Sequence, residues 1–269
     1  MENIIFTRIN IGVGKPFKLL HITDVHITEA NECDTDEHKL LMKERTEVFR
    51  EEGKYPEKSP SEYFRESIDI SKSEDATVIC TGDVMDIHTY GNLAEFRALT
   101  EGVDMMFTPG GHEHQRAIVR TMEEPYPYAK EIRAQLEDEF SRFDLSLESR
   151  VINGVNVITA DNSLDYYSEK TLKAFKRELE KGYPVIVFSH DPIWDKLLNA
   201  TDKTHENVFL TPDDYRISHE MIDLLLNHPL VITTVAGHGH AFEEREINGK
   251  IHYMTDGLFK GAARLIEVM

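Results

Sequence analysis

The chain reads Leu19-Leu20-His21-Ile22-Thr23-Asp24-Val25-His26 near its start, and this stretch sets a pattern that the rest of the sequence repeats. An apolar run of strand length stops at a carboxylate and an imidazole. Four further apolar runs end in the same way, at Asp83, His112, His190 and the pair His238 and His240. Side chains at the carboxyl ends of strands in an open α/β sheet share one crevice. These groups are therefore expected to lie close together.

The chemistry of these groups is that of a metal site, because carboxylates with imidazoles suit Mn, Fe, Zn or similar divalent ions. Asp24 and His26 are two residues apart, so in an extended segment their side chains point the same way. His238 and His240 repeat this spacing around a single glycine. Such spacings also arise by chance in a chain with 13 histidines. Their shared position after apolar runs favours metal binding over a solvated surface.

Two further carboxylates extend the pattern. Asp83 follows Gly82, which lets the backbone turn at the strand end, and a carboxylate placed there could bridge two cations about 3.5–4 Å apart. The alternative, a helix N-cap at Asp83, fits poorly with the apolar residues that follow. Asp86 could orient a catalytic imidazole by accepting its ring N–H, as carboxylates behind a metal site do.

Composition limits the class of protein. The chain has 269 residues, 40% apolar and 29% charged, which predicts one globular α/β domain over residues 1–269. The net charge of −19 makes long nucleic acid or another polyanion an unfavourable partner. A small anionic substrate stays open, because bound cations reverse the local field. The N-terminus lacks a signal-peptide pattern and no apolar run approaches 18 residues, so we expect a cytoplasmic protein with no membrane partner.

The order of elements alternates β and α first and ends in a hairpin-rich tail. Ser61 is predicted to cap a helix that runs to about Glu74, and a charged two-helix insertion over about residues 30–75 is a candidate cap. The dipeptides Asn153-Gly154 and Asn248-Gly249 predict two-residue hairpin turns. The tail from Glu243 to Val268 is predicted to form successive antiparallel strands. Further helices are predicted at Asn92–Glu101, Tyr128–Phe140, Ser168–Lys181 and Pro212–Asn227.

The ordered motifs Asp24-x-His26, Gly82-Asp83, Gly-x-His112-Glu113, His190 and Gly237-His238-x-His240 resemble those of the calcineurin-like metallophosphoesterases. The resemblance extends over about residues 17–258. It implies a four-layer αββα sandwich, two packed mixed sheets flanked by helices, with a dinuclear centre of two divalent metal ions between the loop ends. By this resemblance, the first metal is held by Asp24, His26 and His240. The second is held by His190 and His238, and Asp83 bridges the two. His112 would be the acid or stabiliser at the leaving oxygen, with Asp86 as its partner.

The sequence departs from that family at one metal position. The asparagine expected to bind the second metal is Gly111 here, so we expect this metal to be held less tightly. A water or His114 could take the vacant position, whereas Asn92 could not, because the residues around it indicate a helix start. Ile87 stands where protein phosphatases carry an arginine, which argues against a phosphatase of the eukaryotic serine/threonine type.

Two classes of function stay open at this point. One is hydrolysis of a small phosphomonoester or phosphodiester by a metal-held hydroxide. The other is a binding scaffold of the same fold with a weakened second metal site, an alternative that only Gly111 favours. Substrate choice is expected to depend on the 30–75 insertion and on the loops Tyr90–Asn92 and Asp191–Thr211.

Overall fold

Two mixed β-sheets pack face to face in the computed structural model, and helices cover their outer faces. The structure describes residues 1, 3–52, 58–115, 129–194 and 211–269. The strands are β1 (Asn3–Ile9), β2 (Phe17–Ile22), β3 (Ala76–Cys80), β4 (Met105–Phe107), β5 (Leu147–Ile152), β6 (Val155–Ala160), β7 (Val185–Phe188), β8 (Val231–Ala236), β9 (Glu243–Ile247), β10 (Lys250–Met254) and β11 (Ala262–Val268). The α-helices are α1 (Asp36–Glu52), α2 (Pro60–Glu74), α3 (Tyr90–Thr100), α4 (Ala129–Glu139), α5 (Glu169–Leu179) and α6 (Pro212–Asn227).

The first sheet has the strand order β1-β11-β2-β3-β4. Strands β2, β3 and β4 run parallel to one another, with Ile22 opposite Cys80. Their carboxyl ends therefore lie along the same edge of the sheet. The residues that follow β2 and β3 are also joined directly, because the backbone N–H of Asp24 donates to the carbonyl of Gly82 at 3.0 Å.

The second sheet has the order β5-β6-β7-β8-β10-β9, in which β6, β7, β8 and β10 are parallel. Its two hairpins turn where the sequence predicts. Asn153 and Gly154 have φ angles of 49° and 88°, and Asn248 and Gly249 have 52° and 78°. Two consecutive positive φ values are the mark of a type I′ turn, which matches the twist of the flanking strands.

The prediction for the C-terminal tail is correct for its hairpin and wrong for its last strand. Strands β9 and β10 are antiparallel neighbours. Strand β11 instead crosses to the first sheet, where it is parallel to β1 and antiparallel to β2, with Leu265 opposite Leu20. Local alternation of apolar residues identifies a strand but does not specify the sheet that it joins.

Three apolar clusters separate the four layers. On β2, Leu19 faces the cluster between the two sheets and Leu20 faces the helices outside the first sheet. On β7, Ile186 faces the cluster between the sheets and Val187 faces the outer helices α5 and α6. Neighbouring strand residues point to opposite faces, so a strand buried on both faces is apolar throughout. The architecture is the αββα sandwich that the sequence predicts.

The two-helix insertion connects the parallel neighbours β2 and β3. Helix α2 packs on the first sheet with Tyr63 and Phe64 fully buried. It begins with Ser59 as N-cap, whose hydroxyl accepts from Glu62 N, so the predicted cap at Ser61 lies two residues too late. In the described ranges, no helix combines the length and apolarity that a membrane span requires.

Candidate metal centre

The loops after β2 and β8 bring together the first set of predicted ligands. One ligand atom from each of Asp24, His26 and His240 lies within 4.8 Å of the others. His240 Nε2 is 3.1 Å from Asp24 Oδ1 and 3.4 Å from His26 Nε2. Asp24 and His26 are buried, and His240 is one-third exposed. Three potential metal-ligand atoms thus lie around one position, which is open to solvent on the side of His240.

The loops after β3, β7 and β8 bring together a second set, which consists of Asp83, His190 and His238. His190 Nδ1 donates to the carbonyl of Thr81 at 2.7 Å, and this bond turns Nε2 towards Asp83. Nε2 lies 3.2 Å from Asp83 Oδ2 but lacks the geometry of a hydrogen bond, and it is fully buried. A buried imidazole nitrogen without a proper partner is costly unless a ligand takes it.

Five of the six predicted ligands adopt left-handed backbone conformations. The φ angles are 50° for Asp24, 52° for His26, 48° for Asp83, 68° for His238 and 46° for His240. Residues other than glycine rarely adopt these values, which cost energy and cluster at functional sites. Strands β2, β3 and β8 are thus followed by sharp turns, which aim these five side chains into the crevice.

The loops approach one another so closely that several positions require glycine, among them Gly237 and Gly110. A Cβ on Gly237 would lie 1.9 Å from Thr23 Oγ1 and 2.6 Å from Asp24 Oδ2. A Cβ on Gly110 would lie 2.3 Å from Asp83 Oδ1. Side chains at these positions would push apart the loops that carry the ligands.

Asp86, one of the two predicted catalytic residues, connects the other, His112, to the first set of ligands. Its Oδ1 is 3.2 Å from His26 Nδ1 and 3.6 Å from His112 Nδ1. His112 Nδ1 donates to the backbone carbonyl of Asp86 at 2.6 Å, and His112 N donates to Asp83 Oδ1 at 2.8 Å. His112 is therefore fixed at both its ring and its backbone.

Sequence reasoning missed Arg45, which donates from α1 to both carboxylate oxygens of Asp86, at 2.7 and 3.0 Å. The ring of Phe49, one turn further along α1, stacks on the His26 imidazole with 4.8 Å between ring centroids. The insertion therefore contacts the site through α1. Its role as a cap stays a prediction.

Sequence reasoning also missed two buried side chains that hold the ligand loops. Glu113 accepts from the backbone N–H groups of Asp83, Met85 and Gly110, at 2.6–3.0 Å. Asn162 Oδ1 accepts from the N–H groups of His190 and Asp191, both at 3.0 Å. Each side chain fixes a loop by bonds to its backbone. The motif Gly-x-His-Glu could have identified Glu113, but Asn162 has no comparable signal.

A cavity of about 180 Å³ opens on both sets of ligands. The part of its wall that the sequence did not predict includes Asp191, whose Oδ1 lies 3.4 Å from His238 Nδ1. The full lining comprises Asp83, Gly111, His112, Gln115, Ser163, Asp165, Asp191, His238 and His240. A small molecule in this cavity would contact His112 and both sets of ligands.

The carboxylates and imidazoles shift one another's pKa values. Burial disfavours the ionised form of Asp83, but His190 and His112 outweigh it and hold the pKa of Asp83 well below its usual value. Burial likewise opposes ionisation of Asp86, but His26 and Arg45 lower its pKa to about 2. Against its own burial, the pKa of His190 is raised by Asp83. A metal ion bound here would displace that proton.

The structure shows Gly111, which stands in place of the expected asparagine ligand, and the two residues considered as its replacement. Gly111 lines the cavity, with φ −66° and ψ −35°. His114 Nδ1 lies 3.1 Å from the carbonyl of Gly110, and His114 is not one of the three residues whose ligand atoms form the second set. Asn92 lies in the first turn of α3, where Oδ1 accepts from Glu29 N at 2.7 Å, so it is not a replacement ligand. Most of the loop Asp191–Thr211 lies outside the described residues.

Comparison with known proteins decides the family. A sequence model of the calcineurin-like phosphoesterase family matches residues 17–242. The chain belongs to this family. In this calcineurin-like phosphoesterase, the two sets of carboxylates and imidazoles could bind metal ions. Membership supports metal-dependent hydrolysis of phosphoesters as the general class of reaction. No curated protein matches the chain.

Several solved structures resemble this calcineurin-like phosphoesterase at low sequence identity. A "Putative 5′-Nucleotidase" from Staphylococcus aureus is 11% identical with a TM-score of 0.50, and the match covers 91% of this chain but 49% of that one. The phosphopantetheinyl hydrolase of Mycobacterium tuberculosis is 14% identical, with a TM-score of 0.46 and 92% coverage of both chains. GAP50 of Plasmodium, described as an anchor in the inner membrane complex, is 15% identical, with a TM-score of 0.44 and coverage of 89% and 71%. The first likeness supports the fold alone, and this chain spans about half the length of that protein.

Proposed function

We propose that this chain hydrolyses a small phosphomonoester or phosphodiester at a centre of two divalent metal ions. The observation that carries the proposal is the pair of three-residue sets, Asp24 with His26 and His240, and Asp83 with His190 and His238. Members of both sets line the same cavity as His112.

The residues of the site fit metal ions in their chemistry and in their environment. Carboxylate oxygens and imidazole nitrogens suit Mn, Fe or Zn. The buried Nε2 of His190 lacks a proper hydrogen-bond partner, and the bond from Nδ1 to Thr81 holds the ring in place behind it. Ligating histidines commonly have such a bond on their second nitrogen. Asp83 would be a ligand shared by the two ions, and its own set with His190 and His238 would be the weaker because Gly111 supplies no ligand.

The metal ions, when bound, would lower the pKa of water and neutralise the phosphoryl oxygens. The protein would contribute the proton of the leaving group through His112. Its Nδ1 donates to Asp86 O, which leaves Nε2 to serve the substrate. Burial opposes protonation of His112, but Asp83 and Asp86 outweigh it and raise its pKa. An imidazole that keeps its proton near neutral pH is well matched to this task.

A metal-reconstitution experiment tests the proposal. Protein stripped with a chelator should be inactive, and reloading with Mn²⁺ should restore hydrolysis of nitrophenyl phosphate or of bis-nitrophenyl phosphate. Asp83→Asn, treated in the same way, should stay inactive because it lacks the carboxylate common to the two ions. Metal content measured on the same samples should approach two ions per wild-type chain. A folded protein that takes up metal and hydrolyses neither ester would favour the scaffold instead, and one that takes up none would overturn the metal centre itself.

A further inference from the structure

We propose that Arg45 is a positioning residue of this reaction. From helix α1, its guanidinium fixes the carboxylate of Asp86, and Asp86 in turn fixes His26 and His112. The inference rests on the proposed function and adds to it a residue from the insertion between β2 and β3.

Arg45 and Asp86 form a bidentate contact. Arg45 Nε donates to Oδ2 at 2.7 Å and Nη2 donates to Oδ1 at 3.0 Å, while Asp86 is fully buried. Two parallel bonds to a planar guanidinium define the plane of the carboxylate as well as its position. In the described ranges, no other arginine or lysine bonds to this carboxylate.

The orientation of Asp86 determines what each neighbouring imidazole can do. A guanidinium only donates hydrogen bonds, so the carboxylate meets it as an acceptor. His26 Nδ1, 3.2 Å from the same Oδ1, is then the donor of that pair, and its Nε2 lone pair is left for a cation. His112 Nδ1 bonds to the backbone oxygen of Asp86. The carboxylate of Asp86 therefore supports the metal ligand His26, and its backbone oxygen supports the proposed proton donor His112.

Helix α1 is itself held firmly against the site. The Arg45 guanidinium lies 4.7 Å from the centre of the Phe49 ring, and that ring stacks on His26. The hydroxyl of Thr46 lies 2.7 Å from that of Thr28, just beyond the first ligand loop. The helix thus presents its arginine from a fixed register.

The residue directly after Asp86 cannot supply this cation. Ile87 is aliphatic and fully buried. The positive charge that faces Asp86 comes instead from a residue 41 positions away in the chain.

The test compares full-length wild type with Arg45→Ala and Arg45→Lys. Arg65→Ala is the matched control, because Arg65 pairs with Glu95 on the exposed side of the same insertion. Calorimetric titration with Mn²⁺ measures metal affinity without any substrate, and steady-state kinetics with the more reactive nitrophenyl ester give kcat and KM. Circular dichroism checks that each variant is folded.

We expect Arg45→Ala to lower kcat and the affinity of the tighter Mn²⁺ site by about 10–100-fold each, the range for partners that orient metal ligands. KM should stay unchanged, Arg45→Lys should lose less, and added guanidinium ion should restore part of kcat to Arg45→Ala. Arg65→Ala should match wild type. If Arg45→Ala does not fold, Arg45→Lys carries the test, and a loss of affinity in it is the supporting result.

Three results would overturn the role of Arg45. One is wild-type affinity and kcat in the folded Arg45→Ala variant, and another is a raised KM at unchanged kcat, which would place Arg45 on the substrate. The third is a wild-type protein that takes up no Mn²⁺. If wild type binds Mn²⁺ but hydrolyses nothing, the proposed function fails alone, and the affinity titration still decides for or against Arg45.

Discussion

His112 is the residue whose change should separate chemistry from metal binding. Its backbone N–H bonds to Asp83 Oδ1, and its ring lies near His26 and Asp86, outside the two sets assigned to the proposed metals. We expect His112→Asn to lower kcat by about 10²–10⁴-fold, the usual contribution of a general acid, with Mn²⁺ affinity close to wild type. His219→Asn, at an exposed position of α6, should change neither quantity. Loss of Mn²⁺ binding in His112→Asn would instead make His112 part of the metal centre.

Gly111 is the residue whose change should strengthen the site. Its φ of −66° and ψ of −35° are accessible to any residue, so asparagine can take its place without backbone strain. We expect Gly111→Asn to raise affinity for the second Mn²⁺ by about tenfold or more, since it adds an amide oxygen to the cavity wall. Titration calorimetry measures this change. Gly110→Asn is the matched comparison and should weaken binding, because a Cβ there would meet Asp83 Oδ1.

At the scale of single residues, the sequence is informative where a carboxylate or an imidazole directly follows a strand. All six predicted ligands gather in two sets. Arg45 could not be predicted. Its partner lies 41 residues away, and an arginine on a charged helix looks like a solvated one until the fold brings α1 to the site.

At the scale of secondary-structure elements, the prediction concerns the loop after β8. Gly237 approaches the loop after β2, which comes from the other sheet, so Gly237→Ala would force the two loops apart. We expect it to lower the free energy of unfolding by about 1–3 kcal/mol, the usual cost of overpacking, and to weaken the first metal site. Urea unfolding and Mn²⁺ titration measure the two effects. Gly14→Ala has open space around its Cβ and should be neutral; equal stability of both variants would contradict the steric argument.

Local sequence signals predict the bounds of helices better than they predict which strands pair in a sheet. Helix α6 begins and ends at the predicted residues, and α5 begins after Ser168 as its N-cap, because caps and prolines act on their own neighbours. Strand β11 was assigned to the wrong sheet, since its alternation fits either one. Which sheet it joins is decided by partners such as β1, more than 250 residues earlier in the chain.

The proposed metal centre would join the two sheets of the molecule, because its candidate ligands follow strands of both. An ion that binds only the folded state stabilises it by mass action, about 2.7 kcal/mol at one hundred times the dissociation constant. We therefore expect Mn²⁺ to raise the melting temperature of the chelator-treated protein. Asp24→Asn loses an ionised ligand and should show a smaller rise, whereas Asp223→Asn, on α6, should behave as wild type. An equal rise in all three proteins would mean that Mn²⁺ acts elsewhere.

The position of β11 has a consequence for how the protein folds during its synthesis. This strand follows the other described strands in the chain, yet it lies between β1 and β2, which precede them. The first sheet can therefore reach this strand order only after residues 262–268 have been synthesised. Because Asp24 and His26 directly follow β2, we expect a growing chain to bind manganese only after residues 262–268 have left the ribosome.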